Sequence, residues 1–176
     1  MRNYERNAPI SDSNLKCTST QNSMIDLLTT SCLVSIAIAV AVICIGQYII
    51  EFLALWLSGD SGIHDRVFSA QAVWQQLIIG CLIAPAIETL IFQCFILEGF
   101  FYCFRERFAL IAWLTSVSAF TAAHWVGGVP LLKIAWAGAI LSGIYLSEKS
   151  RQRNPIIATF LTHAIYNTIV FIQIHL

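Results

Sequence analysis

The sequence predicts an all-α fold, a polytopic membrane helix bundle of about five transmembrane spans, with an extra half-helix before Pro85 as one of two readings of the second span. Three observations point there. Hydrophobic residues make up 57% of the 176 and charged residues only 11%, against about 25% charged in a soluble domain. The mean hydropathy is +0.72. The apolar residues gather into long runs separated by short polar turns, and a helix needs about 20 residues to cross roughly 30 Å of hydrocarbon. The lipid bilayer is therefore an expected partner. No basic stripe with interleaved aromatics is present, so nucleic acid is not expected.

Residues 1–26 read as a polar cytoplasmic tail carrying Arg2, Arg6 and Lys16, and residues 27–176 as the membrane domain. The first apolar run starts too late and is too long for a cleaved secretory signal, so it is expected to be retained. Leu27–Leu57 is the first span, interrupted by Gln47 and Glu51, and Ser58-Gly-Asp-Ser-Gly62 is a turn cluster leading into a solvated loop with His64, Asp65 and Arg66. Val73–Phe104 is too long for one simple span. Proline suits the first turn of a helix and not its interior. Either a helix opens at Pro85, leaving Val73–Ala84 as a half-helix, or one kinked helix runs throughout.

Arg105-Glu-Arg107 is a charged turn, Phe108–Val126 the next span, and Gly127-Gly-Val-Pro130 a tight turn into Leu131–Ser147, whose Lys133 is near enough to its end to snorkel. A second charged loop, Glu148–Asn154, precedes a final helix opened by Pro155. The positive-inside rule orients these spans. A cytoplasmic tail places Arg2, Arg6, Lys16, Arg105, Arg107, Lys149, Arg151 and Arg153 on the cytoplasmic side and only Arg66 and Lys133 outside. Trp56, Trp74 and Trp125 then fall at the outer interface. The six cysteines have no metal spacing. Cys32, Cys44, Cys81, Cys94 and Cys103 read as small buried hydrophobes and Cys17 as part of the tail.

Within these runs Pro85-Ala-Ile-Glu-Thr-Leu-Ile-Phe-Gln93 holds a carboxylate, Glu88. An acid inside a membrane span costs about 2.5 to 3.5 kcal/mol on insertion scales and is a functional-site hypothesis by default. Two other runs can answer it, Phe120-Thr-Ala-Ala-His124 and His163-Ala-Ile-Tyr-Asn167. The four-residue spacing puts Phe120 with His124, and His163 with Asn167, on shared helix faces. His163 and Asn167 lie roughly 12 and 18 Å from the start of their helix at 1.5 Å per residue. If Pro85 opens its helix, Glu88 is one turn inside, near the positive end of the helix dipole; if the helix is continuous, it is nearer mid-membrane. Glu88 as general base on water, His124 positioning that water, and His163 with Asn167 donating to an oxyanion suffice for amide hydrolysis.

At these residues the sequence resembles the CAAX protease and bacteriocin-processing family of glutamic-type intramembrane proteases. That family is marked by Glu-Glu-x-x-x-Arg, Phe-x-x-x-His and His-x-x-x-Asn, each in its own membrane helix. Here Phe120 with His124, and His163 with Asn167, keep the second and third motifs. Glu88 stands at the first glutamate, Thr89 replaces the second and Gln93 the arginine. Losing an acid and a base together leaves no unmatched buried charge, and Thr89 and Gln93, four apart, are expected to keep a neutral hydrogen bond. The spans and the Lys/Arg distribution give a multi-pass cell-membrane protein with a cytoplasmic N-terminus, and the resemblance implies that it is an endopeptidase. The resemblance also implies the glutamate as base, no metal or other cofactor, and a membrane-associated protein or peptide substrate, C-terminally tagged or lipidated and cut near its C-terminus.

Three other readings compete. Glu88, His124 and His163 have the composition of a His₂Glu zinc set, although no His-Glu-x-x-His signature is present. The altered first motif also suits a binding or bacteriocin-immunity membrane protein. Glu88 as a proton relay would suit a small transporter.

Overall fold

The structure is a computed structural model that describes residues 30–58, 72–104, 106–124 and 127–175. The tail of residues 1–26 with Cys17, the loop carrying His64, Asp65 and Arg66, and Arg105 and Trp125 lie outside the described residues. Every element among the described residues is helical. Helix α1 is Thr30–Ser58, α2 is Val73–Phe104, α3 is Ala109–Ala123, α4 is Gly128–Ser150 and α5 is Pro155–His175. Four of them are long and apolar enough to cross a membrane, and α3 is a shorter apolar helix of 15 residues. The protein is a multi-pass membrane helix bundle.

Helix α4 is central. It packs against α1, α3 and α5 and touches the middle of α2, while α2 packs against α3 and α5. Small residues let it sit there: Ala137, Gly138 and Ser142 are buried, and close backbone approach through small side chains is how membrane helices associate. A Cβ at Gly46 of α1 would lie 2.0 Å from Trp136 Nε1 of α4. The absence of a side chain at Gly46 thus admits the indole, whose Nε1–H donates to Val42 O at 3.1 Å. Outward faces stay apolar, with Phe52, Trp56, Trp74, Leu82, Phe95 and Tyr102 exposed, because lipid tails are as apolar as the core they replace.

Apart from Glu88, the charged groups of the described residues collect at the two ends of the bundle. At one end Glu98 accepts from Tyr145 Oη at 2.9 Å and from Lys149, and the fully buried Glu148 pairs with Arg151 and Arg153 at 3.5 and 3.4 Å. The turn after α4 places Gln152 at φ 56° and returns Arg153 N–H to Glu148 O, the left-handed stop that ends many helices. Asn154 then caps α5 by accepting from Ile157 N–H at 3.1 Å ahead of Pro155. At the other end Lys133 is held by Glu51 at 2.8 Å and is largely covered instead of snorkelling. Cys32 and Cys81 are buried as expected, Cys44 and Cys94 are half-buried, and Cys103 is exposed.

The second span resolves into one continuous helix. No half-helix stops at Pro85: α2 passes through it, with π-helical segments at Ile79–Ile83 and Thr89–Phe95 on either side of Ala84–Glu88. Glu88 therefore lies about 22 Å from the start of α2 at 1.5 Å per residue, in mid-span and away from any helix terminus.

Candidate active site

The site begins with how α2 accommodates its proline. In the first π segment Ala84 N–H donates to Ile79 O, five residues back. In that register Pro85 follows opposite Gly80 O and has no N–H to give. Asn167 of α5 supplies the donor, with Nδ2 2.8 Å from Gly80 O. In the second π segment Ser116 of α3 donates to Phe92 O at 2.7 Å. Its one hydrogen is then used, so Ser142 of α4 is the donor in the 2.8 Å contact between the two hydroxyls. The irregular backbone of α2 is thus tied to α5 on one side of Glu88 and to α3, itself braced by α4, on the other, and π segments of this kind recur at functional sites.

Between those ties the three ionisable predictions meet. Glu88 Oε2 is 3.5 Å from His163 Nε2 and 3.9 Å from His124 Nε2. The side chains of Glu88 and His124 are 24% and 30% exposed while that of His163 is 5% exposed, so the site opens on its Glu88–His124 side and is closed behind His163. Helix α3 ends immediately before His124, whose Nδ1 lies 2.7 Å from Phe120 O, one of the carbonyls the helix end leaves unpaired. A carbonyl only accepts, so Nδ1 carries a hydrogen, and in the neutral ring Nε2 presents its lone pair toward Glu88.

Phe120 stands between the imidazoles, with ring centroids 4.6 Å from His124 and 5.8 Å from His163, and Phe92 meets it edge-on at 5.5 Å. A Cβ at Gly138 would come within 2.7 Å of Phe120 Cδ1. Phe120 therefore locks the two rings apart, and Gly138 makes room for it. Tyr166 packs against the same cluster.

Asn167 is one turn beyond His163 on the same face and is held to α2 through Gly80 by one of its two amide hydrogens. Thr89 and Gln93 are both fully buried, but the neutral hydrogen bond expected between them does not form. Thr89 Oγ1 and both amide atoms of Gln93 are without a hydrogen-bond partner. The π segment that starts at Thr89 widens the turn and takes the two side chains off ideal four-residue spacing. Among the described residues no three His, Cys, Asp or Glu side chains are arranged to hold a metal ion.

Reading the sequence missed Gly80, Ser116, Ser142 and Gly138. The signal for Gly80 was present, since a proline in a continuous helix always frees a carbonyl about one turn back. The others depend on which helices become neighbours.

A carboxylate thus lies within reach of two imidazoles inside a multi-pass helix bundle, open on the Glu88–His124 side and closed behind His163. The family model described as type II CAAX prenyl endopeptidase Rce1-like matches residues 70–169, more than half of the chain, and the protein belongs to that family. The matched stretch contains Glu88, His124, His163 and Asn167. Membership makes the chain an intramembrane endopeptidase in general terms, acting on a membrane-associated protein substrate. No curated protein and no solved structure matches it.

Proposed function

We propose that the protein hydrolyses a peptide bond near the C-terminus of a tagged or lipidated membrane substrate by a glutamate-based mechanism. The observation that carries this reading is the placement of Glu88 Oε2 within 3.5 and 3.9 Å of two imidazole nitrogens from different helices. The gap between Glu88 Oε2 and His124 Nε2 suits one water donating a hydrogen to each. As its oxygen attacks the scissile carbonyl carbon, Glu88 takes a proton and His124 Nε2 keeps hold of the other hydrogen. The developing oxyanion receives hydrogen bonds from His163 and from the second amide hydrogen of Asn167. Glu88 then gives its proton to the leaving nitrogen as the C–N bond breaks.

The distribution of Lys and Arg supports a cytoplasmic N-terminus. Because His124 ends α3 at the face away from Arg107, Lys149 and Arg151, the open side of the site then faces outward. The substitutions at Thr89 and Gln93 alter the family motif without touching Glu88, which supports a change of substrate with the base retained.

Co-expression with tagged membrane-associated candidates, followed by intact-mass mapping of any new C-terminus, tests this. Cleavage should persist in chelator and fall by about 10² to 10⁴ in Glu88→Gln, the usual worth of a general base. Retained cleavage in Glu88→Gln overturns the mechanism. Loss to chelator moves Glu88, His124 and His163 into a metal site, and no cleavage of any candidate favours the binding or immunity reading.

A further inference from the structure

Among the described residues, threonines beyond the first turn of a helix follow a rule with two exceptions. Thr115, Thr121, Thr162 and Thr168 each donate their hydroxyl to the carbonyl four residues back, at 2.7 to 2.8 Å. Thr89 and Thr159, both fully buried, do not, and their Oγ1 atoms have no hydrogen-bond partner. The same holds for both amide atoms of Gln93 and for Nδ1 of His163. Most buried polar atoms in folded proteins are paired with protein or ordered water, so the question is whether these five belong together.

The helix register brings them together. Asn167 meets Gly80 and His163 meets Glu88, so α5 runs antiparallel to α2. Continuing one turn along both helices sets Thr159 beside the turn that holds Thr89 and Gln93, where α5 packs on this π segment. Helical side chains lean toward the N-terminus of their helix, which lays the His163 ring over the turn of Thr159.

We infer that Thr89, Gln93 and Thr159 enclose an internal water site against the Nδ1 edge of His163, on the closed side of the active site. Each partner is neutral and can donate, and two to four such groups are what a buried water needs. Water held there by the amide oxygen and the hydroxyls points a hydrogen at Nδ1. Nδ1 accepts, so the ring hydrogen resides on Nε2, facing Glu88. Thr89, Gln93 and Thr159 are positioning residues, acting through the water on the tautomer of His163. The catalytic consequence rests on the function proposed above, because an oxyanion needs that Nε2–H; the water site itself does not.

Solid-state NMR of the full chain in nanodiscs, labelled with ¹⁵N-histidine, tests this, with His163 assigned by its loss in His163→Gln. The expected wild-type spectrum shows the Nε2–H tautomer, with polarisation transferred from water protons to Nδ1. Thr159→Val and Thr89→Val together should abolish that transfer and populate the Nδ1–H form. Cleavage should then fall by about tenfold or more through kcat with KM unchanged, since tautomer control is worth up to about 10⁴ in a serine protease triad. An Nδ1–H tautomer in the wild type, no water transfer to Nδ1, or an unaltered spectrum in the double variant overturns the inference. The first two outcomes need no folded variant, and none requires a substrate, so failure here is distinguishable from failure of the proposed activity.

Discussion

Replacing Asn167 with alanine strips Gly80 O of its donor at a place where the backbone cannot supply another. Interhelical hydrogen bonds in membranes average about 0.6 kcal/mol and reach about 1.7, because the alternative is usually some other partner. Gly80 O has no such alternative while Pro85 stands in the register of its backbone donor. The expected cost of Asn167→Ala is therefore in the upper part of that range, about 1 to 1.7 kcal/mol. Pro85→Ala provides an N–H in the same register. In that background the cost of Asn167→Ala should drop below about 0.5 kcal/mol, giving a coupling of about 1 kcal/mol in a double-mutant cycle. The assay is reversible unfolding in mixed detergent micelles, followed by tryptophan fluorescence. Effects that add within about 0.3 to 0.5 kcal/mol, the normal limit for independent sites, would refute the link between the proline and the asparagine. Cleavage gives a separate readout: Pro85→Ala should restore stability to Asn167→Ala without restoring activity, since a backbone N–H at Gly80 does not replace the second amide hydrogen of Asn167.

Two glycines should separate stability from activity. Gly138→Ala, whose Cβ would stand 2.7 Å from Phe120 Cδ1, should displace the ring that spaces His124 from His163. Cleavage should then fall by about 10²-fold, as small misplacements of catalytic groups do, and Gly138→Ala with Phe120→Leu should recover part of it; no recovery would remove Phe120 from the explanation. Gly46→Ala, with its Cβ 2.0 Å from Trp136 Nε1, should cost about 1 to 3 kcal/mol through overpacking. It should leave the cleavage rate of the folded fraction unchanged, measured by unfolding and by activity per folded molecule.

Much of the site was legible because its signals are local. A carboxylate in an apolar run is anomalous wherever it occurs, and the four-residue spacings of Phe120 with His124 and of His163 with Asn167 are properties of any helix. These picked out three side chains that converge within 3.9 Å. The pairing assumed for Thr89 and Gln93 failed for a related reason: it borrowed ideal helix spacing, and the backbone there is π-helical.

The sequence by itself determined the membrane location, the spans and the ionisable residues, since each follows from the transfer cost of a short stretch of chain. Tertiary structure decided whether α2 breaks at Pro85. A freed carbonyl in the bilayer interior is tolerable only if something else donates to it, and that donor, Asn167, lies 87 residues away in the chain. The same holds for the orientation of His163. Its ring is common to every copy of the sequence, but its tautomer depends on groups that meet only when α2 and α5 pack.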